Sequence, residues 1–139
     1  MNKKQIIIAI ILGLVAVWLT FEITHYVDKI YFDQTFRNNM ESLEKHVEQM
    51  TYYGDSLKAL VSTDGTQIDK STRLTLIRDT GYKLSGVLEI TEKEYKDACD
   101  QWKRYGTLED KDKLDRYGFN IYWYKDLLHN VNRFYYGKQ

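Results

Sequence analysis

Sixteen consecutive residues near the start of the chain, Ile6 to Phe21, contain no charged group. An uncharged apolar run of this length must be enclosed by protein or placed in lipid. As a helix rising 1.5 Å per residue it covers about 24 Å, slightly short of a hydrocarbon core of about 30 Å. Gln5 and Glu22-Ile23-Thr24 are therefore needed to complete a crossing. The lipid-facing side chains of such an anchor are Ile6, Ile7, Ile8, Ile10, Ile11, Leu12, Leu14, Val15, Val17, Trp18, Leu19 and Phe21. Trp18, Phe21 and Tyr26 fall where one interface would lie, and Lys3 and Lys4 can extend to the other.

A basic start followed by an apolar run also describes a cleaved secretory signal. The small-residue cleavage pattern is missing, since bulky Trp18, Leu19, Phe21 and Ile23 continue the run. No cysteine is placed there for lipidation. The reading is an uncleaved, single-pass signal-anchor. Lys3 and Lys4 precede it, while Glu22 and Asp28 come first on the other side. This asymmetry predicts a cytoplasmic N-terminus with the remaining chain periplasmic or extracellular.

Beyond the anchor the residues predict an all-α fold. The chain of 139 residues has no proline and twelve tyrosines, a combination suited to uninterrupted helices with amphipathic rings along their sides. With 43% hydrophobic and 29% charged residues, the part outside the anchor has the composition of a folded domain. Phe36, Met40, Leu43, Val47 and Met50 recur at alternating spacings of four and three, a heptad seam of the kind found in coiled coils. With Ile23, Val27, Ile30 and Tyr31 upstream, the anchor helix is expected to continue as a stalk to about Tyr53. The expected division is an anchor over 1–22, a stalk over 23–53 and a small helical bundle over 54–139 packing back on the stalk.

Within that bundle, Gly54-Asp55-Ser56 predicts a break and Ser62-Thr63-Asp64-Gly65 a loop. A second helix capped by Asp69 or Ser71 carries Leu74, Ile77, Gly81 and Leu84 and is expected to stop at Gly86. Thr91 and Glu94 match a capping box and predict a new helix start, with Tyr95, Ala98, Cys99, Trp102 and Tyr105 on its apolar face and Gly106 at its end. Glu109-Asp110-Lys111-Asp112-Lys113 reads as a solvated charged face opening a short segment with Leu108, Leu114 and Tyr117. Gly118 separates it from a terminal helix whose stripe is Ile121, Tyr124, Leu128, Val131 and Tyr135, widened by Trp123, Leu127 and Phe134.

No arrangement of reactive residues predicts catalysis, and the reading is of a non-enzymatic protein without cofactor or metal. Asp79-Thr80-Gly81 matches the triplet of aspartic proteases, but it occurs once and inside a helix-period stripe. Asp110-Lys111-Asp112 begins like a calcium loop and fails where Asp115 replaces the required glycine. His25, His46 and His129 show no metal-ligand spacing. Cys99 is the sole cysteine, so no intramolecular disulfide can form, and Cys99 with His129 form no recognisable nucleophile-base motif. Setting Lys3 and Lys4 aside leaves 18 basic against 20 acidic residues, too even a balance for nucleic acid.

The remaining candidates are aromatic. Tyr122, Trp123 and Tyr136 exceed what one buried stripe of the last helix needs, and they are candidates for an interface. The expected partners are the lipid bilayer and another protein, and a homo-oligomer also fits. The layout of one N-terminal span followed by a helical part resembles inner-membrane spanins of phages in arrangement, which implies a lysis role. The favoured reading is a membrane-tethered helical protein of a bacterial or phage-derived cell envelope, acting by protein-protein interaction in immunity, exclusion or scaffolding. An accessory subunit of a larger membrane complex is the alternative, since Gly13 with Ala9 or Ala16 permits close helix approach.

Overall fold

A computed structural model describes residues 2–62 and 69–136, with Tyr105 described by its backbone alone. Three α-helices account for nearly all of them: α1 (Lys3–Ser62), α2 (Lys70–Tyr105) and α3 (Leu108–Tyr136). No strand occurs among the described residues, in agreement with the all-α expectation. The chain divides into two compact units, Met1–Thr35 and Phe36–Gln139. In the first unit α1 is long and apolar enough to cross a membrane, and every predicted anchor residue is exposed.

In the second unit the seam of α1 is buried at Phe36, Met40, Leu43, Val47, Met50, Gly54 and Leu57. The alternation of four and three persists over three full heptads. In α2 the same alternation gives buried Ile77, Gly81, Leu84, Leu88, Thr91 and Ala98, and in α3 it gives Asp110, Leu114, Ile121, Tyr124 and Val131. Burying a Leu- or Phe-sized side chain contributes roughly 1.5–3 kcal/mol, so each stripe needs a facing surface. Asn39 bonds Gln101, Ser42 bonds Glu94, and Arg73 reaches the carbonyls of Leu60 and Val61. These pairs run in opposite chain directions, so α2 packs antiparallel to this part of α1. Contacts of α3 with α1 run in the same direction, from Arg37–Asp110 to Asp55–Tyr124.

Several expected breaks are absent. Gly54-Asp55-Ser56 lies inside α1, Gly86 inside α2 and Gly118 inside α3. α1 therefore runs on to Ser62, and the four helical segments expected after the loop are two long helices. Packing explains two of these glycines: a Cβ at Gly54 would overlap the Tyr124 ring, and one at Gly118 would overlap the Tyr95 phenol. Each glycine lets a ring lie directly against helix backbone, which offsets its poor helix propensity. Phe134 does not widen the core and is 80% exposed. The predicted loop over Thr63-Asp64-Gly65 lies outside the described residues.

The cap assignments also change. Asp69 caps α2 by accepting from the Thr72 amide at 3.3 Å, and Gly106 ends α2. Thr91 is no cap, because it sits mid-helix and its hydroxyl donates to the Val87 carbonyl at 2.6 Å. The working capping box begins α3. The Asp110 amide donates to Thr107 Oγ1 at 3.2 Å, and Asp110 Oδ2 accepts from the Thr107 amide at 3.2 Å. Here the third helical position is Asp, one methylene shorter than the usual Glu.

Asp110 is buried, contrary to its reading as part of a solvated face. Arg37 grips it with two bonds, Nη1 to Oδ1 at 2.5 Å and Nη2 to Oδ2 at 2.8 Å. This hydrogen bonding, led by Arg37, outweighs burial and holds the Asp110 carboxyl down at about 2. A carboxyl that titrates lower when folded contributes stability fully above its ordinary value near 3.8, and that contribution disappears as pH falls through 2. The shift corresponds to about 2 kcal/mol. Denaturant melts of the full-length protein are expected to lose that amount between pH 4 and pH 2, whereas Asp110→Asn should start lower and show a flattened acid limb.

The glycine assignments give a second test with opposite signs. Gly54→Ala gains helix propensity but forces the Tyr124 ring aside, and is expected to destabilise the protein by about 1–3 kcal/mol. A Cβ at Gly86 would meet nothing within 4 Å, so Gly86→Ala is expected to stabilise it by about 0.5–1 kcal/mol. Equal effects at the two positions in thermal melts would contradict the packing role of Gly54.

Candidate functional site

The three aromatic candidates are placed in different surroundings. Tyr122 is 72% exposed on α3, one turn from exposed Phe119. Trp123 is 40% exposed, with the Lys58 ammonium 5.2 Å from its ring centroid and the Tyr124 ring meeting it edge-on. That cation-aromatic contact holds Trp123 against α1. Tyr136, 39% exposed, lines a cleft between α2 and α3.

This cleft has a volume of about 320 Å³ and is bounded by Ile77, Arg78, Gly81, Tyr82 and Ser85 of α2 with Asn132 and Tyr136 of α3. Its origin lies in side-chain size. Arg78, Tyr82 and Ser85 are spaced four and three apart and share a helix face, and Asn132 and Tyr136 are one turn apart on the other wall. Gly81 between them supplies no side chain, and a Cβ there would only just touch Leu128 at 3.6 Å. The floor is apolar and the rim is rich in donors: a guanidinium, two phenols, a hydroxyl and a carboxamide. Among the described residues Arg78 has no ion pair or hydrogen bond. Such a rim suits an oxygen anion carried on an otherwise uncharged group.

A polar ladder joins α1 and α2 on another side. Ser42 Oγ donates to Glu94 Oε2 at 2.5 Å, His46 Nδ1 faces Glu94 Oε1, and Asn39 donates to Gln101 at 2.8 Å. Glu94, expected to cap a helix start, instead receives groups from α1. Residues one turn from His46 on its own helix give no sign of this pair, because its partner comes from another helix.

The other chemically suggestive residues do not converge. Burial pushes the Cys99 thiol above its ordinary value, which leaves little nucleophilic thiolate. Cys99 lies near enough to Asp115 to feel its charge, and His129 is fourteen residues further along α3, about 21 Å along the axis. Burial is also the main cause that pushes the Tyr95 and Tyr124 phenols up to about 12, and both serve packing against glycine. Asp79 is exposed on α2 while Gly81 is buried, so the Asp-Thr-Gly triplet builds no shared site. Among the described residues no three His, Cys, Asp or Glu side chains come together as metal ligands.

No protein-family model, curated protein or solved structure matches this chain.

Proposed function

We propose that this chain is a single-pass, membrane-tethered recognition protein of a cell envelope that binds another protein and performs no chemistry of its own. Its N-terminus is cytoplasmic by the placement of Lys3 and Lys4. The unit from Phe36 onward is a three-helix bundle outside the cytoplasm, and its cleft between α2 and α3 takes the carboxylate of an acidic side chain or chain terminus on the partner. Immunity, exclusion or scaffolding are the roles that fit such a device.

The observation that carries this reading is the rim of the cleft, where Arg78 stands without a partner among the described residues beside Tyr82, Ser85, Asn132 and Tyr136. Tyrosine and arginine are the residue types that most often anchor protein interfaces, because each combines a wide contact surface with a polar tip. The apolar run Ile6–Phe21, wholly exposed in the first unit, supports the tether.

A photoreactive amino acid in place of Tyr82 in the full-length protein tests the proposal in cells. The expected product is a discrete heteromeric adduct whose sequenced cross-linked peptide belongs to an extracytoplasmic segment with an acidic residue or free C-terminus. Arg78→Glu should reduce its yield at least tenfold. No adduct, or one indifferent to Arg78→Glu, would overturn the cleft as the binding site, and an adduct with a cytoplasmic segment would overturn the orientation.

A further inference from the structure

The cleft between α2 and α3 is uneven along its length, and the unevenness distinguishes the two kinds of carboxylate that a protein can offer it. On α2 the lining runs from Arg78 to Ser85, two helical turns or about 10 Å. Because α2 is antiparallel and α3 parallel to the same part of α1, the two walls run in opposite directions. Tyr136 therefore lies toward the Arg78 end and Asn132 toward the Ser85 end. Arg78 is the one charged residue among those lining the cleft, so one end is cationic. The other end carries a hydroxyl and a carboxamide, which are uncharged and can both donate and accept.

A carboxylate on a side chain engages the Arg78 end alone, because its own backbone continues in both directions outside the cleft. Ser85 and Asn132 are then left to water. A free chain terminus can instead lie lengthwise. An extended chain advances about 3.3 Å per residue, so its last three residues reach from one end of the cleft to the other. With the terminal carboxylate at Arg78, a peptide group further back falls between Ser85 and Asn132. The Asn132 carboxamide carries the same donor and acceptor as a peptide group and can pair with it in both senses.

The floor next to Arg78 specifies what the last residue carries. It consists of Ile77, 1% exposed, and of Gly81, which brings no side chain of its own. The carboxylate and the side chain of a terminal residue diverge from a single carbon, so an oxygen anion at Arg78 places that side chain over this apolar floor. The volume of about 320 Å³ is near the lower bound of small-ligand sites, about 300 Å³. It accepts the end of an extended chain and excludes a helix, whose diameter with side chains is about 10–12 Å. Capture of a terminal carboxylate is an established mode of peptide recognition.

We infer that the cleft binds the free C-terminus of a partner protein whose last residue is apolar, an inference that rests on the reading of the cleft as a carboxylate site. The test passes two pools of synthetic hexapeptides, randomised at the last three positions, over immobilised full-length protein in detergent and sequences what is retained. One pool ends in free carboxylates and the other in amides. The free-acid pool is expected to be retained at least tenfold better, with Leu, Ile, Val or Phe enriched at the last position. Arg78→Gln, at an exposed position, should lower its retention to the level of the amidated pool. Lys83→Gln, an equal loss of charge outside the cleft, should leave retention unchanged. Retention of amidated peptides at the same level through internal Asp or Glu, and dependent on Arg78, would overturn the terminus and keep the carboxylate site. Free-acid retention without apolar enrichment would overturn the seat over Gly81. No retention from either pool, or retention indifferent to Arg78→Gln, would overturn the carboxylate site together with the terminus.

Discussion

Each helical stripe in the second unit returns every three or four residues, and the closeness with which two of them meet depends on rings laid against bare backbone. Tyr124 occupies the space a side chain at Gly54 would need, and Tyr95 occupies that of Gly118. These contacts bring α3 within reach of α1 and α2 respectively. Once they are made, the Tyr124 hydroxyl can donate to Asp55 at 2.7 Å, and further along α3 Lys125 can meet Glu92 at 3.0 Å. The Arg37–Asp110 pair fixes the opposite end of the α1–α3 contact. Because Asp110 also belongs to the capping box of α3, one carboxylate both starts a helix and sets its position.

Most of the helical content is legible from hydrophobic period alone. The stripe from Phe36 to Met50, the positions Ile77 and Leu84, and the run from Ile121 to Val131 are all read correctly from spacing. The interruptions are not, and for one reason: glycine and threonine carry two meanings. Gly54, Gly86 and Gly118 weaken a helix by local propensity, but tertiary packing at Gly54 and Gly118 supplies more than the propensity removes. Thr91 followed by Glu94 has the spacing of a capping box, yet its hydroxyl back-bonds within a helix that is already under way.

Charge is the other blind spot. Asp110 sits among four charged neighbours and reads as solvated, and only the distant Arg37 reveals that it is buried. Glu94 and His46 are 48 positions apart, so no local pattern could pair them. Of the aromatic candidates, Tyr136 lines the cleft between α2 and α3 and Trp123 is held by Lys58. Arg78, Tyr82, Ser85 and Asn132 carry no signal of their own, because a cleft made by the small size of Gly81 appears only when two helices are set side by side.

Three uninterrupted helices, closed by ring-on-glycine packing, are the basis on which the cleft and its donors rest. Hydrogen exchange of the full-length protein in lipid nanodiscs, resolved by peptide, tests this most directly. The amides around residues 54–57, 86–91 and 118–121 are expected to exchange as slowly as those in the adjoining turns. Rapid exchange confined to those three places would mean that the chain breaks at its glycines, and would contradict the account.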